Sequence, residues 1–169
     1  ADHLLLASGK TVAQLEEQLN KTRTPGSFDL VTFVSGKADI IPHKVLSHNV
    51  IGVLPGTDPS LRSEYVVIGA HYDHLGKGGP GSGSRMADTL AIHYGADDNA
   101  SGVAMVLDLA RHFAGTKSNR RSLVFVAFGA EEMGLIGSRA FVEKPPVDLK
   151  KVTAMFNFDM VGRLDPLTK

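Results

Sequence analysis

The chain has 169 residues, 43% of them hydrophobic, which is enough for one domain with a sizeable core. Lysine plus arginine and aspartate plus glutamate number 18 each, so no global field draws the protein to nucleic acid or to an acidic membrane surface. With no cysteine, disulfides, thiolate metal sites and a cysteine nucleophile are excluded together.

In chain order, residues 11–19 read as a short amphipathic helix with Val12, Leu15 and Leu19 on one side. Residues 28–35 and 44–54 are rich in Val, Ile and Phe and read as extended, a hairpin or two adjacent strands broken at Gly36 and Pro42. Residues 65–70 are apolar on both faces, the mark of a buried strand, and run straight into His71. The low-complexity stretch 76–84 reads as a mobile surface loop, and it lacks the Gly-Lys-Ser/Thr ending of a phosphate-binding loop.

The turn at 95–102 packs Asp97 and Asp98 side by side before a helix whose apolar residues recur at Val103, Val106, Leu107, Ala110 and Ala114. Asn99 and Ser101 are suited to cap that helix, and Asp98 sits beside the positive end of its dipole. Residues 122–128 form a further apolar strand, with Glu131 and Glu132 just past its end. A helix follows over 133–142, with Leu135, Ile136 and Ala140 turned inward, and 152–158 is a last strand, apolar enough to be central, that delivers Asp159.

Strands alternating with helices imply an α/β fold, a mixed and largely parallel central sheet flanked by helices, with ligand-binding groups beyond the carboxyl ends of the strands. His71 with Asp73, Glu131 with Glu132, Asp159 and Asp98 all fall at such places. Taken singly, each has an ordinary reading as a cap, a solvated helix start or a surface histidine. Four such placements in one sheet are improbable as independent accidents. One histidine among carboxylates, without sulfur, suits zinc or a divalent metal of similar preference. The two-residue spacing of His71 and Asp73 lets the carboxylate hold the second imidazole nitrogen, and adjacent glutamates point in different directions, so one can bind metal while the other faces a water.

Four blocks, residues 66–76, 95–102, 127–138 and 157–162, resemble in order the successive motifs of the M28-family zinc aminopeptidases, over 49–164. That resemblance implies a zinc-exopeptidase fold and a pair of zinc ions, one or two of which this chain holds. It places His71 and Asp159 on one zinc, Asp98 between the two and Glu132 on the other, with Glu131 as general base and Asp73 orienting His71. Asp98 takes the bridging role over Asp97 because it directly precedes Asn-Ala-Ser-Gly. The implied reaction is hydrolysis of a peptide substrate by a metal-activated water, of the aminopeptidase type, in a secreted or periplasmic protein. Neither nucleic acid nor membrane is an expected partner.

The family pattern has a further histidine on the second zinc, beyond the Asp159 block, and His3, His43, His48, His74, His93 and His112 all lie outside the corresponding block. The chain therefore reads as a shortened form incomplete at its C-terminus. Residues 1–27 read as a lead-in, like the tail of a removed accessory region, before a metallopeptidase-like portion at 28–169. The expectation is a sound His71, Asp98 and Asp159 position, a weakened Glu132 position, and self-association through exposed apolar surface. Two other classes stay open, a non-catalytic metal- or partner-binding domain and a zinc-dependent acyl transfer such as cyclisation of an N-terminal residue.

Overall fold

The computed structural model describes residues 2–30, 33–42, 44–86 and 88–163, in two compact units, 1–44 and 45–169. The first unit holds helix α1 (Asp2–Leu5), a 3-10 turn (Leu6–Ser8) and helix α2 (Val12–Thr22). α2 starts at Thr11, whose hydroxyl accepts from the Gln14 N–H while the Gln14 side chain accepts from the Thr11 N–H. This reciprocal cap satisfies two amides that the first turn leaves free. No strand forms among the described residues of 28–35, where Phe33 and Val34 are exposed. Val31 and Thr32, on which part of the extended expectation falls, lie outside the described residues, as do His43 and Leu164.

The second unit is built on four strands, β1 (Val50–Leu54), β2 (Tyr65–His71), β3 (Ser122–Phe128) and β4 (Val152–Asn157), in the order β1-β3-β2-β4. β2 pairs in parallel with β3 and β4, and β1 pairs antiparallel to β3. The hairpin partner expected for β1 is thus replaced by β3, because a strand is stable only where a ladder partner takes its backbone groups. The sheet is mixed, largely parallel and flanked by helices, as the alternation of elements implies.

Side chains of β2 and β3 alternate between two apolar clusters, one on each face. Val67, Val124, Val126 and Phe128 pack with Phe141 of α4 (Ile136–Glu143). Ile68, Ala70 and Leu123 pack with Val106 of α3 (Gly102–Thr116). Burial on both faces is why these two strands are apolar throughout.

The helices match the expected inward faces only in part, α3 at Val103 and Val106. In α3 the buried side runs through Val103, Val106, Leu109 and Phe113, while Leu107 is 64% exposed and Ala114 is exposed. In α4 the inward residues are Gly137 and Phe141, and Leu135, Ile136 and Ala140 are exposed. Gly137 lies against the backbone of Gly129, where any Cβ would collide, so the helix is seated by its glycine. The helix also starts later than expected, since Gly134 at φ 98° and Leu135 at φ 60° keep 133–135 out of it. β4 is an edge of the described sheet, with Met155 and Phe156 half exposed, rather than central.

Parallel pairing carries the ends of β2, β3 and β4 to one rim. His71 is level with Phe128 and Gly69 with Asn157, so His71, the segment after Phe128 and Asp159 emerge together.

Replacing Val106 by Ala is expected to lower unfolding free energy by about 2 kcal/mol, through lost burial and a residual cavity. Leu107→Ala is expected to change it by less than about 0.5 kcal/mol. Urea unfolding of the two variants distinguishes the observed helix face from the alternative.

Candidate metal centre

His71 is the last residue of β2 and is only 3% exposed. Its Nδ1 lies 3.0 Å from the main-chain oxygen of Asp73. A carbonyl can only accept, so Nδ1 carries a proton, and Nε2 is the ring nitrogen turned to the rim. That nitrogen faces Asp98 Oδ1 at 3.2 Å, Asp159 Oδ1 at 3.6 Å and Glu131 Oε2 at 4.0 Å.

Asp73 differs from the expectation. Its carboxylate is 3.8 Å from His71 Nδ1 and instead accepts the N–H groups of Glu131 at 2.9 Å and Glu132 at 3.2 Å. The main chain of Asp73 orients the imidazole, and its side chain holds the glutamate turn. That turn is sharp: Ala130 sits at φ 55°, and Glu131 O accepts from Gly134 N and Leu135 N.

Asp98 lies in a wide turn, Ala96–Ser101, where Asp98 (φ −106°, ψ 92°) and Asn99 (φ −135°, ψ 41°) leave helical geometry. Asn99 is buried and has two tasks. Its Oδ1 accepts from Gly102 N at 3.0 Å, capping α3 as expected, and from Met160 N at 3.3 Å. Its Nδ2 donates to Phe158 O at 2.9 Å. The residues on either side of Asp159 are therefore stitched to the Asp98 turn. Asp97 adds a further tie by accepting from Gly162 N at 2.9 Å. Ser101 does not cap α3, since its hydroxyl donates to Asp97 O and accepts from Val161 N.

The second oxygen of Asp98 turns away from His71 toward His74. His74 Nδ1 is 3.8 Å from Asp98 Oδ2 and 2.9 Å from Glu132 Oε1. Two groups of possible ligand atoms result, His71 with Asp98 and Asp159, and His74 with Asp98 and Glu132, each group lying within 4.8 Å. His74 lies inside the 66–76 block, where the sequence gives it no ligand role. Its proximity depends on the path of the chain after β2, which strand periodicity does not describe.

The electrostatics favour a cation here. Among the described residues, the ion-pair partners of Asp98, Asp159, Glu131 and Glu132 are His71 and His74, with no lysine or arginine. Like charges about 5 Å apart at an effective dielectric near 20 repel by roughly 3 kcal/mol, less what solvent screens. Burial pushes the Glu131 carboxyl above its ordinary range; Glu132, Asp159 and Asp73 add to the rise, and His71 opposes it. Nitrogen and carboxylate donors around uncompensated negative charge fit zinc. A cleft of about 290 Å³ opens beside His71, Glu131 and Asp159, walled by Phe128, Leu135 and Met155.

The surface loop expected over 76–84 is tied at its base beside His74. Lys77 pairs with Ile92, Gly78 N donates to Ala91 O at 2.7 Å and His93 N to Gly76 O at 2.8 Å.

The sequence profile of peptidase family M28 matches residues 49–169. A probable leucine aminopeptidase of Arthroderma otae is 30% identical over 153 residues, covering 88% of this chain and 36% of that protein. A probable zinc metalloprotease of Pyrenophora tritici-repentis is 31% identical over 154 residues, 89% of this chain and 33% of that one. The solved aminopeptidase from Aneurinibacillus sp. strain AM-1 superposes with a TM-score of 0.53 at 36% identity, over 70% of this chain and 26% of that chain. The chain spans about a third of the length of these two curated relatives. A strand-end cluster of this composition on this sheet, together with a profile match that takes in all of its residues, makes the chain a member of peptidase family M28.

Proposed function

We propose that this chain carries the zinc centre of a metallopeptidase that hydrolyses peptide bonds at the substrate N-terminus. The observation behind this reading is Asp98, whose two oxygens face two separate imidazole and carboxylate groups. In this reading His71 Nε2 and Asp159 hold one zinc, Asp98 bridges, and Glu132 belongs to the other. When bound, the ions acidify a water and polarise the scissile carbonyl.

Glu131 is the general base. It lines the cleft, 4.0 Å from His71 Nε2 and outside both ligand groups. Its raised proton affinity brings it nearer neutrality, which suits a group that takes a proton from water and delivers it to the leaving amine. Asp73 is a positioning residue, because it holds the Glu131 and Glu132 amides and so fixes where the two side chains diverge. The names of the Arthroderma and Aneurinibacillus proteins support the aminopeptidase direction.

Hydrolysis of aminoacyl p-nitroanilides is expected to be lost on chelation and restored by zinc. In Glu131→Gln, turnover is expected to fall about 10²- to 10⁴-fold with zinc content unchanged. Undiminished turnover in that variant would remove Glu131 from the role of base, and zinc binding without turnover by the unaltered chain would favour a metal-binding domain.

Asn99→Ala removes the tie between the Asp98 turn and the Asp159 segment. Zinc affinity is expected to drop by about 10- to 100-fold, the range for loss of an outer support, with little change in circular dichroism. Unchanged affinity would mean that Asp159 is held by β4 alone.

A further inference from the structure

We propose that His74 is a positioning residue for the second metal position: its Nδ1–H fixes Oε1 of Glu132 and leaves Oε2 for the cation. This rests on the two-zinc reading, in which Glu132 belongs to the second ion. It adds no ligand to that ion and gives His74 the support of one.

His74 Nδ1 lies 2.9 Å from Glu132 Oε1 and 3.8 Å from Asp98 Oδ2. Only the first contact is a hydrogen bond. A carboxylate can only accept, so the hydrogen sits on Nδ1, and that nitrogen then has no lone pair for a metal. His71 is arranged the other way round. Its Nδ1 is taken up by Asp73 O, and its Nε2 faces three carboxylates. A histidine that binds metal through one nitrogen normally gives the hydrogen of the other to a partner. Among the described residues His71 has that partner, and His74 Nε2 has no hydrogen-bond partner.

Glu132 needs a hold at its far end. Its main chain is pinned by Asp73 Oδ2, which accepts the Glu132 N–H at 3.2 Å, but that bond leaves the side-chain torsions free. With His74 on Oε1 the residue is fixed at both ends. Torsions ordered before a cation arrives are not a cost of binding it.

The ring is itself held in place. Gly95, at φ 62°, faces it: a Cβ there would lie 2.9 Å from both Cβ and Cγ of His74 and 2.8 Å from Asp98 O. The left-handed backbone and the missing side chain at Gly95 together make the recess that His74 occupies. On another side His93 meets the ring edge-on, with centroids 6.0 Å apart, and His93 is fixed by its N–H to Gly76 O. The His74 side chain is 20% exposed and that of Glu132 21%. A hydrogen bond to a carboxylate partly withdrawn from water is stronger than one in open solvent.

The test uses the protein equilibrated with two equivalents of zinc, beside His74→Ala, His74→Asn and His71→Ala. Nitrogen-15 NMR of the unaltered protein reads the hydrogen on His74 directly. Nδ1 is expected to carry it with zinc bound. A zinc-bound Nδ1 without hydrogen, or hydrogen on Nε2 alone, would overturn the proposal.

Chelator competition then reads the two affinities, and His71→Ala marks the one that belongs to the other ion. His74→Ala is expected to weaken the second ion about 10- to 100-fold, the range for loss of an outer partner, and to leave the first unchanged. His74→Asn is expected to recover most of that loss. Its amide nitrogen is bonded to Cγ, as Nδ1 is, and donates without being a ligand for zinc. Unchanged affinity in His74→Ala, or His74→Asn as weak as His74→Ala, would overturn the positioning role while leaving the two-zinc reading intact. A single zinc bound by the unaltered protein would remove the two-zinc reading and the proposal with it. The NMR measurement is made on the unaltered protein, so its result stands even if a variant fails to fold.

Discussion

A single carboxylate that must serve two imidazoles sets the local architecture. Asp98 turns Oδ1 to His71 at 3.2 Å and Oδ2 to His74 at 3.8 Å. The chain meets the demand by widening the turn before α3, with Asp98 and Asn99 outside helical geometry. The free amides so created are not wasted in solvent. Asn99 makes three hydrogen bonds to Gly102, Phe158 and Met160, each worth about 0.5 to 1.5 kcal/mol net, and joins the start of α3 to the end of β4. Gly102 completes the joint, since a Cβ there would collide with Asn99 Oδ1 and Phe158 O.

Around this joint the backbone carries its unusual conformations. Ala130, Leu135 and Met160 have positive φ without being glycine, and they bracket Glu131 with Glu132 on one side of the rim and follow Asp159 on the other. Such residues are tolerated where surrounding contacts over-determine them. Here Asp73 clamps two amides of the glutamate turn, and Asn49 joins Gly129 to Gly137 by accepting from one and donating to the other. The rim is stiff because loops are tied to one another, in addition to being anchored on strands.

What the sequence reveals follows from how local each determinant is. β3 is legible to the residue because both faces are buried and every position is apolar or small. His71, Asp98, Glu131, Glu132 and Asp159 are legible as neighbours because each stands at a strand end or helix start, and parallel pairing brings those ends together. The face of α3 is not legible. Val103, Val106, Leu107 and Ala110 satisfy helical spacing as well as Val103, Val106, Leu109 and Phe113 do, and only the apolar surface of Leu123 and Phe125 selects between them. The task of the Asp73 carboxylate and the approach of His74 depend on loop dihedrals after β2, and the clearance at Gly95 becomes visible only when His74 stands against it.

The two groups of possible ligand atoms share Asp98 but differ in how their imidazoles are supported. His71 ends a central strand, is buried and is oriented by a main-chain carbonyl, while Asp159 is stitched to the Asp98 turn on both sides. Little side-chain freedom is left to lose when a cation arrives, so most of the attraction appears as affinity. His74 lies past the strand end, more exposed, and its supports are a glycine recess and a hairpin closed by two main-chain hydrogen bonds. Ordering it costs more. The His71 group is therefore the more pre-organised of the two.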